Sequence, residues 1–404
     1  MQTLIGPFSQ IVSLDKLSLK GSLSNDQLTI IEQGAVVVDH GKIVAVRKIK
    51  DFDVKSFRYE LIEHETVLLP GLIDCHTHMI WGGSRARDYT MRMEGRTYQE
   101  ILASGGGIFD SVSKTQQTSD QDLLVGLLKR ADRHIHDGVT TIEVKTGYGL
   151  LPDEELRLLK IIKEARTQAD ADLIATCLAA HVCPTDFENG AFLEHLTHEL
   201  LPEIRLKGLA QRVDIFVEDH AFPANLAKAY LVAARKQGFQ LAIHADQFTT
   251  GGSQLAVELE ALSADHLEAS GDREIEAMAN SDVVAVALPG ASLGLGMGYT
   301  PARRLLDAGA NVAIATDWNP GSAPMGDLLV QASLLGIYEK LSAAELIAGV
   351  TYRSAAALGL KDRGRLASNE KADMIGFPCS DYREIFYQQG RMKPSMVWKN
   401  GKLI

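Results

Sequence analysis

Apolar and polar positions alternate along the middle of the chain as a series of short strands and longer helices. Eight short apolar runs predict strands at 71–76, 139–145, 173–179, 213–218, 240–245, 263–267, 283–288 and 311–317. Helical spacing appears between them, for example at 120–136, 153–168, 225–237 and 272–280. Because strands that alternate with helices form parallel βαβ units, the pattern predicts an α/β fold with a (β/α)8 TIM-like barrel.

Both ends of the chain contain short apolar runs separated by turn residues. His40-Gly41 near the start and Asn400-Gly401 near the end are typical hairpin turns. We therefore expect one small β-sandwich domain that combines residues 1–65 with residues 360–404. The barrel is expected to occupy residues 66–359.

The composition is that of a globular protein and argues against several classes of function. The chain has 404 residues, of which 46% are hydrophobic and 23% charged, and no apolar run approaches the length of a membrane helix. A net charge of −11 argues against binding to nucleic acid, which needs a basic surface. No secretory signal is seen, and the four cysteines form no CxxC pair, so we expect a cytoplasmic protein with reduced thiols.

The first predicted strand ends in His76-Thr77-His78. Residues two apart in a strand face the same side, so both imidazoles can bind one metal ion. The C-terminal strand ends of a (β/α)8 barrel form its active site, which makes this pair a candidate metal site. A His-x-His pair alone is equally typical of surface or hydrogen-bonded histidines, so the other strand ends decide the interpretation.

Polar residues also end most of the other predicted strands. His181 follows the third strand, Glu218 ends the fourth and His266 ends the sixth. Polar groups at so many buried strand ends are costly unless a site uses them. The best set of metal ligands is His76, His78, His244 and Asp317.

Three imidazoles and one carboxylate suit Zn²⁺ and are also compatible with iron, so we expect one Zn²⁺ or Fe³⁺ per subunit. A water on such a metal has a pKa low enough to supply hydroxide near neutral pH. Asp317 can take the proton of this water, and His266 can orient or relay it.

Several stretches resemble the amidohydrolase superfamily: PGLIDCHTH at 70–78, HADQ at 244–247, SADH at 263–266 and ATDWNPGS at 315–322. Others resemble one family within it, the imidazolonepropionases: WGGSR at 81–85, MRMEG at 91–95, GGGI at 105–108 and EVKTGYGL at 143–150. The likeness covers residues 70–325 strongly and the two ends loosely.

This resemblance implies hydrolytic ring opening of 4-imidazolone-5-propanoate to N-formimidoyl-L-glutamate, a step of histidine degradation. It implies the four metal ligands given above and suggests a homodimer. It also implies substrate contacts at Arg85, Tyr148, His181, Gln247, Asn319, Gly321 and Ser322.

The residues themselves agree with parts of this assignment. A propanoate tail needs a cation, and the guanidinium of Arg85 can bind a carboxylate through two hydrogen bonds. His181 is expected to donate to the carbonyl oxygen as negative charge develops there, while Asp317 and His266 move the proton. Some family members carry glutamate where this chain has Gln247, and an amide cannot carry a proton.

Three alternatives stay open at this point. A cytosine or guanine deaminase would share the metal ligands, but a glutamate commonly stands at the position of Gln247, and Arg85 would have no carboxylate to bind. A barrel that has become a binding protein would usually have lost metal ligands. Glu218 could bridge a second metal, whereas Lys145 follows strand two and lies in the wrong place for a bridging lysine.

Overall fold

A computed structural model of the chain describes residues 2–404, apart from the side chain of Tyr98. Before the barrel it has strands β1 (Thr3–Val12), β2 (Ile30–Asp39), β3 (Lys42–Lys48), β4 (Arg58–Leu61) and β5 (Val67–Pro70). The barrel strands are β6 (Leu72–Asp74), β7 (Val139–Lys145), β8 (Asp172–Ala180), β9 (Arg212–Val217), β10 (Gln240–Ala245), β11 (Ser263–His266), β12 (Val284–Ala287) and β13 (Asn311–Ile314). After the barrel come β14 (Met374–Phe377), β15 (Met396–Lys399) and β16 (Lys402–Leu403).

The barrel strands are all parallel and lie side by side in chain order from β6 to β13. Beyond the strand ends, backbone hydrogen bonds link the first and last strands. The N–H of Asp317 donates to the carbonyl of His76, and the N–H of His78 donates to the carbonyl of Trp318, both over 3.0 Å. The segments that carry three predicted metal ligands therefore also bring the barrel close to closure.

The helices are α1 (Ala86–Met93), α2 (Tyr98–Ala103), α3 (Ile108–Gln117), α4 (Asp120–His136), α5 (Pro152–Ala165), α6 (Asn189–His195), α7 (Leu201–Lys207), α8 (Ala224–Lys236), α9 (Gly252–Glu258), α10 (Asp272–Ala279), α11 (Pro289–Leu295), α12 (Ala302–Ala308), α13 (Leu328–Glu339), α14 (Ala343–Gly349), α15 (Tyr352–Ala357) and α16 (Arg383–Tyr387). Ser119 caps the start of α4 by accepting from the backbone N–H of Asp122. Helices α1 to α3 fill the long connection after β6. None of the helices in the described residues is long and apolar enough to cross a membrane.

A second sheet combines strands from both ends of the chain. Its order is β16-β15-β14-β5-β1-β2-β3, and β4 pairs with the first half of β1. Phe8 and Trp398 meet edge to face in its apolar core, with ring centroids 5.9 Å apart. The predicted barrel with a separate β domain is confirmed, while the boundaries at residues 65/66 and 359/360 stay predictions.

An ionic cluster joins the amino end of the barrel to the C-terminal part of the chain. Asp172, at the start of β8, accepts through Oδ2 from Arg363 Nη1 at 2.5 Å, Lys371 Nζ at 2.8 Å and Lys399 Nζ at 3.0 Å. The cluster lies at the end of the barrel opposite to the predicted site, so its role is structural.

Candidate active site

Atoms of the four predicted metal ligands converge at or just beyond the carboxyl ends of β6, β10 and β13. His78 Nε2 lies 3.3 Å from His76 Nε2 and 3.4 Å from His244 Nε2. Asp317 Oδ1 lies 3.1 Å from His78 Nε2 and 3.4 Å from His76 Nε2. Ligands about 2.0–2.1 Å from a tetrahedral Zn²⁺ are separated from one another by about 3.3–3.4 Å. The three imidazole nitrogens, which all lie within 4.8 Å of one another, therefore fit one metal ion, and Asp317 Oδ1 lies beside two of them.

Unpaired buried atoms at the same place also indicate a metal. Asp317 Oδ1 is buried and has no hydrogen-bond partner among the described residues. Burial alone would raise the pKa of Asp317, but the neighbouring imidazoles of His76 and His78 hold it well below its usual value. A buried, ionised and unpaired carboxylate oxygen is the group that a cation would complete.

Two further carboxylates orient the imidazoles. Asp265 Oδ2 lies 2.6 Å from His76 Nδ1, and Asp214 Oδ2 lies 3.0 Å from His244 Nδ1. Since a carboxylate accepts, Nδ1 of each imidazole carries a proton, which leaves Nε2 to face the metal position. Burial lowers the pKa of His244 to about 3, which agrees with a neutral ligand. Burial and Lys145 also act to lower the pKa of His76, but Asp265 raises it to about 9, so His76 must give up its Nε2 proton when it binds a metal.

The backbone around the site is strained. Asp246, His266 and Asp317 have φ values of +53°, +87° and +51°, in the left-handed region that favours glycine. They lie at or just beyond the ends of β10, β11 and β13. Such residues cluster at functional sites because the surrounding structure must hold them in place.

Arg85 lies beside the loop that follows β13. A Cβ atom built on Gly321 would be 3.0 Å from Arg85 Nη1. Arg85 Nε donates to Asp88 Oδ2 at 2.6 Å, and Nη1 donates to Ser111 Oγ at 3.3 Å. These contacts hold a buried guanidinium next to the segment that carries Asp317.

His181 stacks on the metal-ligand face of the site. Its ring lies 5.2 Å from the ring of His78 at an interplanar angle of 19°, and Tyr148 lies 5.7 Å from His181. His181 Nδ1 is 3.1 Å from the carbonyl oxygen of Gly147, which can only accept, so Nδ1 carries the proton. Burial holds the pKa of His181 well below its usual value, and the neutral ring therefore presents a lone pair at Nε2.

Comparisons with known proteins agree with this geometry. The model of the amidohydrolase family matches residues 67–404. The imidazolonepropionase of Bdellovibrio bacteriovorus is 38% identical and covers 100% of this chain and 97% of its own length. That of Deinococcus deserti is 38% identical and covers 99% of both chains. This chain belongs to the imidazolonepropionase family.

A solved structure supports the fold of this imidazolonepropionase family member. The atrazine chlorohydrolase TrzN of Arthrobacter aurescens TC1, complexed with zinc, aligns with a TM-score of 0.72 at 18% identity. The alignment covers 99% of this chain and 94% of that one. The family model and the two curated relatives confirm the superfamily and the family predicted from the sequence motifs.

In this imidazolonepropionase family member the predicted metal ligands all come together, and several predicted substrate residues surround them. His266 lies close as well, with its ring 5.3 Å from that of His244 and its Nδ1 3.6 Å from Glu268 Oε2. Gln247 is buried and lies two residues beyond the end of β10. The roles of these residues stay predictions.

Asn319 is already occupied by protein contacts. Its Nδ2 donates to Asp317 Oδ2 at 3.0 Å and to Ser322 Oγ at 2.9 Å. Its Oδ1 accepts from the backbone N–H groups of Gly321 and Ser322, both at 2.8 Å. Asn319 therefore shapes the loop after β13 and orients Asp317, whether or not it also touches a substrate.

Glu218 faces the loop after β10. Its carboxylate accepts from the backbone N–H groups of Phe248 at 2.8 Å and Thr249 at 3.1 Å, and also from the Thr249 hydroxyl. These bonds account for both oxygens, so Glu218 anchors a loop. A role in bridging a second metal gains no support from this geometry.

Sequence reasoning missed Asp214, and it noted Asp265 without giving it a role. Asp214 lies between Val213 and Ile215 in β9, and Asp265 lies between Ala264 and His266 in β11. The available signal was a charged residue at every second position of a buried strand, as in Glu143 and Lys145 of β7 or Arg212 and Asp214 of β9. Alternate residues of a barrel strand point inward, so this spacing places charges behind the metal ligands.

Proposed function

We propose that this chain hydrolyses the ring of 4-imidazolone-5-propanoate to N-formimidoyl-L-glutamate. The curated relatives that cover the whole chain carry the name imidazolonepropionase. The observation that carries the proposal within the molecule is the buried guanidinium of Arg85 beside the loop of the metal ligand Asp317. This juxtaposition suits a small substrate with a reactive ring and an anionic tail.

In the proposed reaction, water adds to the carbonyl carbon of the cyclic amide and the carbon–nitrogen bond breaks. The carbonyl becomes a carboxylate, and the leaving nitrogen takes a proton. A metal held by the three imidazoles and Asp317 would supply a Lewis acid and lower the pKa of a bound water. We also propose that the protein binds one Zn²⁺ or Fe³⁺ per subunit.

The chain's own residues bind the substrate and move the proton. Arg85 binds the propanoate carboxylate while Asp88 keeps the guanidinium in orientation. His266 and Asp317 carry the proton to the leaving nitrogen, because the amide of Gln247 cannot. The lone pair at His181 Nε2 accepts a hydrogen bond from the substrate, and His181 can donate to the oxyanion only after it has gained a proton.

The assembly and location belong to the same proposal. We expect a homodimer in the cytoplasm that acts on a small anionic molecule and not on nucleic acid. Sedimentation of the purified protein would measure its mass in solution, and a monomer would contradict the expected dimer without affecting the reaction.

The proposed reaction is tested with substrate made in place. Urocanase converts urocanate to 4-imidazolone-5-propanoate, and loss of its ultraviolet absorbance is followed with and without this protein. Faster loss with N-formimidoyl-L-glutamate as the product supports the proposal. A parallel measurement of ammonia release from cytosine and guanine tests the deaminase alternative, and activity there with no ring opening would overturn the proposal.

A further inference from the structure

A buried ammonium group lies directly behind the metal ligands. Lys145, the last residue of β7, is fully buried. Its Nζ lies 2.8 Å from Asp214 Oδ2, 3.0 Å from Glu143 Oε1 and 3.6 Å from Asp265 Oδ2. The described residues therefore place one lysine among three buried carboxylates.

Two of these carboxylates contact the metal-ligand imidazoles through the same oxygen atoms that face the lysine. Asp214 Oδ2 lies 3.0 Å from His244 Nδ1, and Asp265 Oδ2 lies 2.6 Å from His76 Nδ1. Asp214 therefore links Lys145 to His244, and Asp265 links Lys145 to His76. Among the described residues Lys145 Nζ contacts carboxylates and neither imidazole, so its effect on a metal would pass through the carboxylates.

The charges of this group are nearly balanced. Glu143, Asp214 and Asp265 contribute three negative charges, and Lys145 and Arg212 contribute two positive ones. Arg212 is the first residue of β9, so it lies farther from the imidazoles, which are at the carboxyl ends of the strands. Its Nη2 lies 3.6 Å from Glu143 Oε1. Lys145 is the cation that contacts both Asp214 and Asp265, and without it two buried carboxylates would repel each other.

We propose that Lys145 is a positioning residue of the metal centre, which holds Asp214 and Asp265 so that they aim Nε2 of His244 and His76 at the metal. This rests on the proposed function only for the identity of the four ligands. The ammonium draws the two carboxylates together from strands β9 and β11. Partners of metal-ligand imidazoles typically change metal affinity by about 10- to 100-fold when they are altered.

The test compares Lys145→Met with Lys399→Met in the full-length protein. Lys399 is a second buried lysine held by two carboxylates, Asp172 and Asp373, but it belongs to the sheet formed by the chain ends. Both changes remove a buried ammonium, so a general loss of stability is common to them. Co²⁺ serves as the probe, with affinity measured by chelator competition and ligand geometry by its visible absorption spectrum.

We expect Lys145→Met to lower the Co²⁺ affinity at least tenfold and to alter the spectrum, while Lys399→Met stays within twofold of the unmodified protein. Lys145→Arg, which keeps the charge, should recover part of the affinity. If Lys145→Met does not fold, Lys145→Gln replaces it, because it removes the charge but keeps a polar side chain with a hydrogen-bond donor. Unchanged affinity and spectrum in a folded Lys145 variant would overturn the proposal.

The outcome does not depend on which substrate is hydrolysed, because the Co²⁺ measurements contain none. A ring-opening assay at saturating Co²⁺ adds one further distinction. Activity that returns with added metal supports positioning. A variant with normal Co²⁺ affinity and no activity would show that Lys145 acts in the reaction itself, which would also overturn the proposal.

Discussion

Asn319 and Asp317 are joined by a hydrogen bond of 3.0 Å from Nδ2 to Oδ2, which leaves the other carboxylate oxygen of Asp317 free to face the imidazoles. The same amide holds the backbone of the loop through its Oδ1. The Asn319 side chain therefore determines which oxygen of Asp317 faces the imidazoles, and it also shapes the loop beside Arg85.

Replacing Asn319 by alanine should weaken metal binding about tenfold, because the carboxylate of Asp317 loses the contact that fixes its rotation. Chelator competition measures this. Asn189→Ala is the matched control, since Asn189 Nδ2 donates to the carbonyl oxygen of Ala221 at 2.7 Å and not to Asp317. Equal metal affinity in the two variants would contradict the role given to Asn319.

Replacing Arg85 by glutamine should raise KM for 4-imidazolone-5-propanoate by about 10- to 100-fold, because a charge-assisted bond to the substrate carboxylate is lost. Steady-state kinetics in the urocanase-coupled assay measure the change. Arg87→Gln is the control, since Arg87 is exposed and binds only the segment around Ser104 and the edge of Asp88. If both variants keep the original KM, Arg85 does not bind the carboxylate.

Elements with a strong local pattern could be predicted from the sequence. The helix expected at 120–136 is α4 (Asp120–His136), because helical spacing and the Ser119 cap agree. The strand expected at 139–145 is β7, because its β-branched residues are fully buried. The strands expected at 71–76 and 311–317 are shorter in the structure, since the chain leaves the sheet before it reaches the predicted metal ligands.

The contacts around the metal ligands could not be predicted in the same way. The pairs Asp265–His76 and Asp214–His244 join residues on different strands, and the first pair is separated by 189 positions along the chain. Such pairs depend on strand register and side-chain rotation, which motifs do not contain. The proton position on His181 is a similar case, because it depends on the carbonyl of Gly147.

Because of the ionic cluster around Asp172, we expect the stability of the fold to decrease in acid. Burial would raise the pKa of Asp172, but Lys399, Lys371 and Arg363 hold it well below its usual value. Because the pKa of Asp172 is lower in the folded state, the carboxylate stabilises the fold at any pH above its unfolded pKa of about 4. This contribution is lost as the pH falls below that value.

Asp172→Asn should therefore reduce the free energy of unfolding at pH 7 by about 1–2 kcal/mol, after allowance for partial exposure of the carboxylate. The difference from the unmodified protein should shrink below about pH 4. Urea unfolding at several pH values measures both. A difference that does not change with pH would contradict the ionic origin of the effect.

We expect Glu370 to give the stability of the fold the opposite dependence on pH. Burial raises its pKa to about 7, and its Oε2 has no partner among the described residues. A raised carboxyl pKa means that the folded state prefers the protonated form, so stability falls as the pH rises from about 4.5 through 7.

Glu370→Gln should stabilise the protein by about 1 kcal/mol at pH 8.5 and have little effect at pH 5. Urea midpoints at the two pH values give the comparison, with the exposed Glu63→Gln as control. A gain of the same size at both pH values would show that ionisation of Glu370 is not its cause.

The most direct test of the whole account is a metal titration of ring opening. The protein is stripped with a chelator, dialysed and supplied with Zn²⁺ or iron in steps, while loss of 4-imidazolone-5-propanoate is followed after each addition. We predict no activity in the stripped protein and a rise that levels off near one metal per chain, with N-formimidoyl-L-glutamate as the product. Full activity without metal, or none in a protein shown to have bound it, would contradict the account.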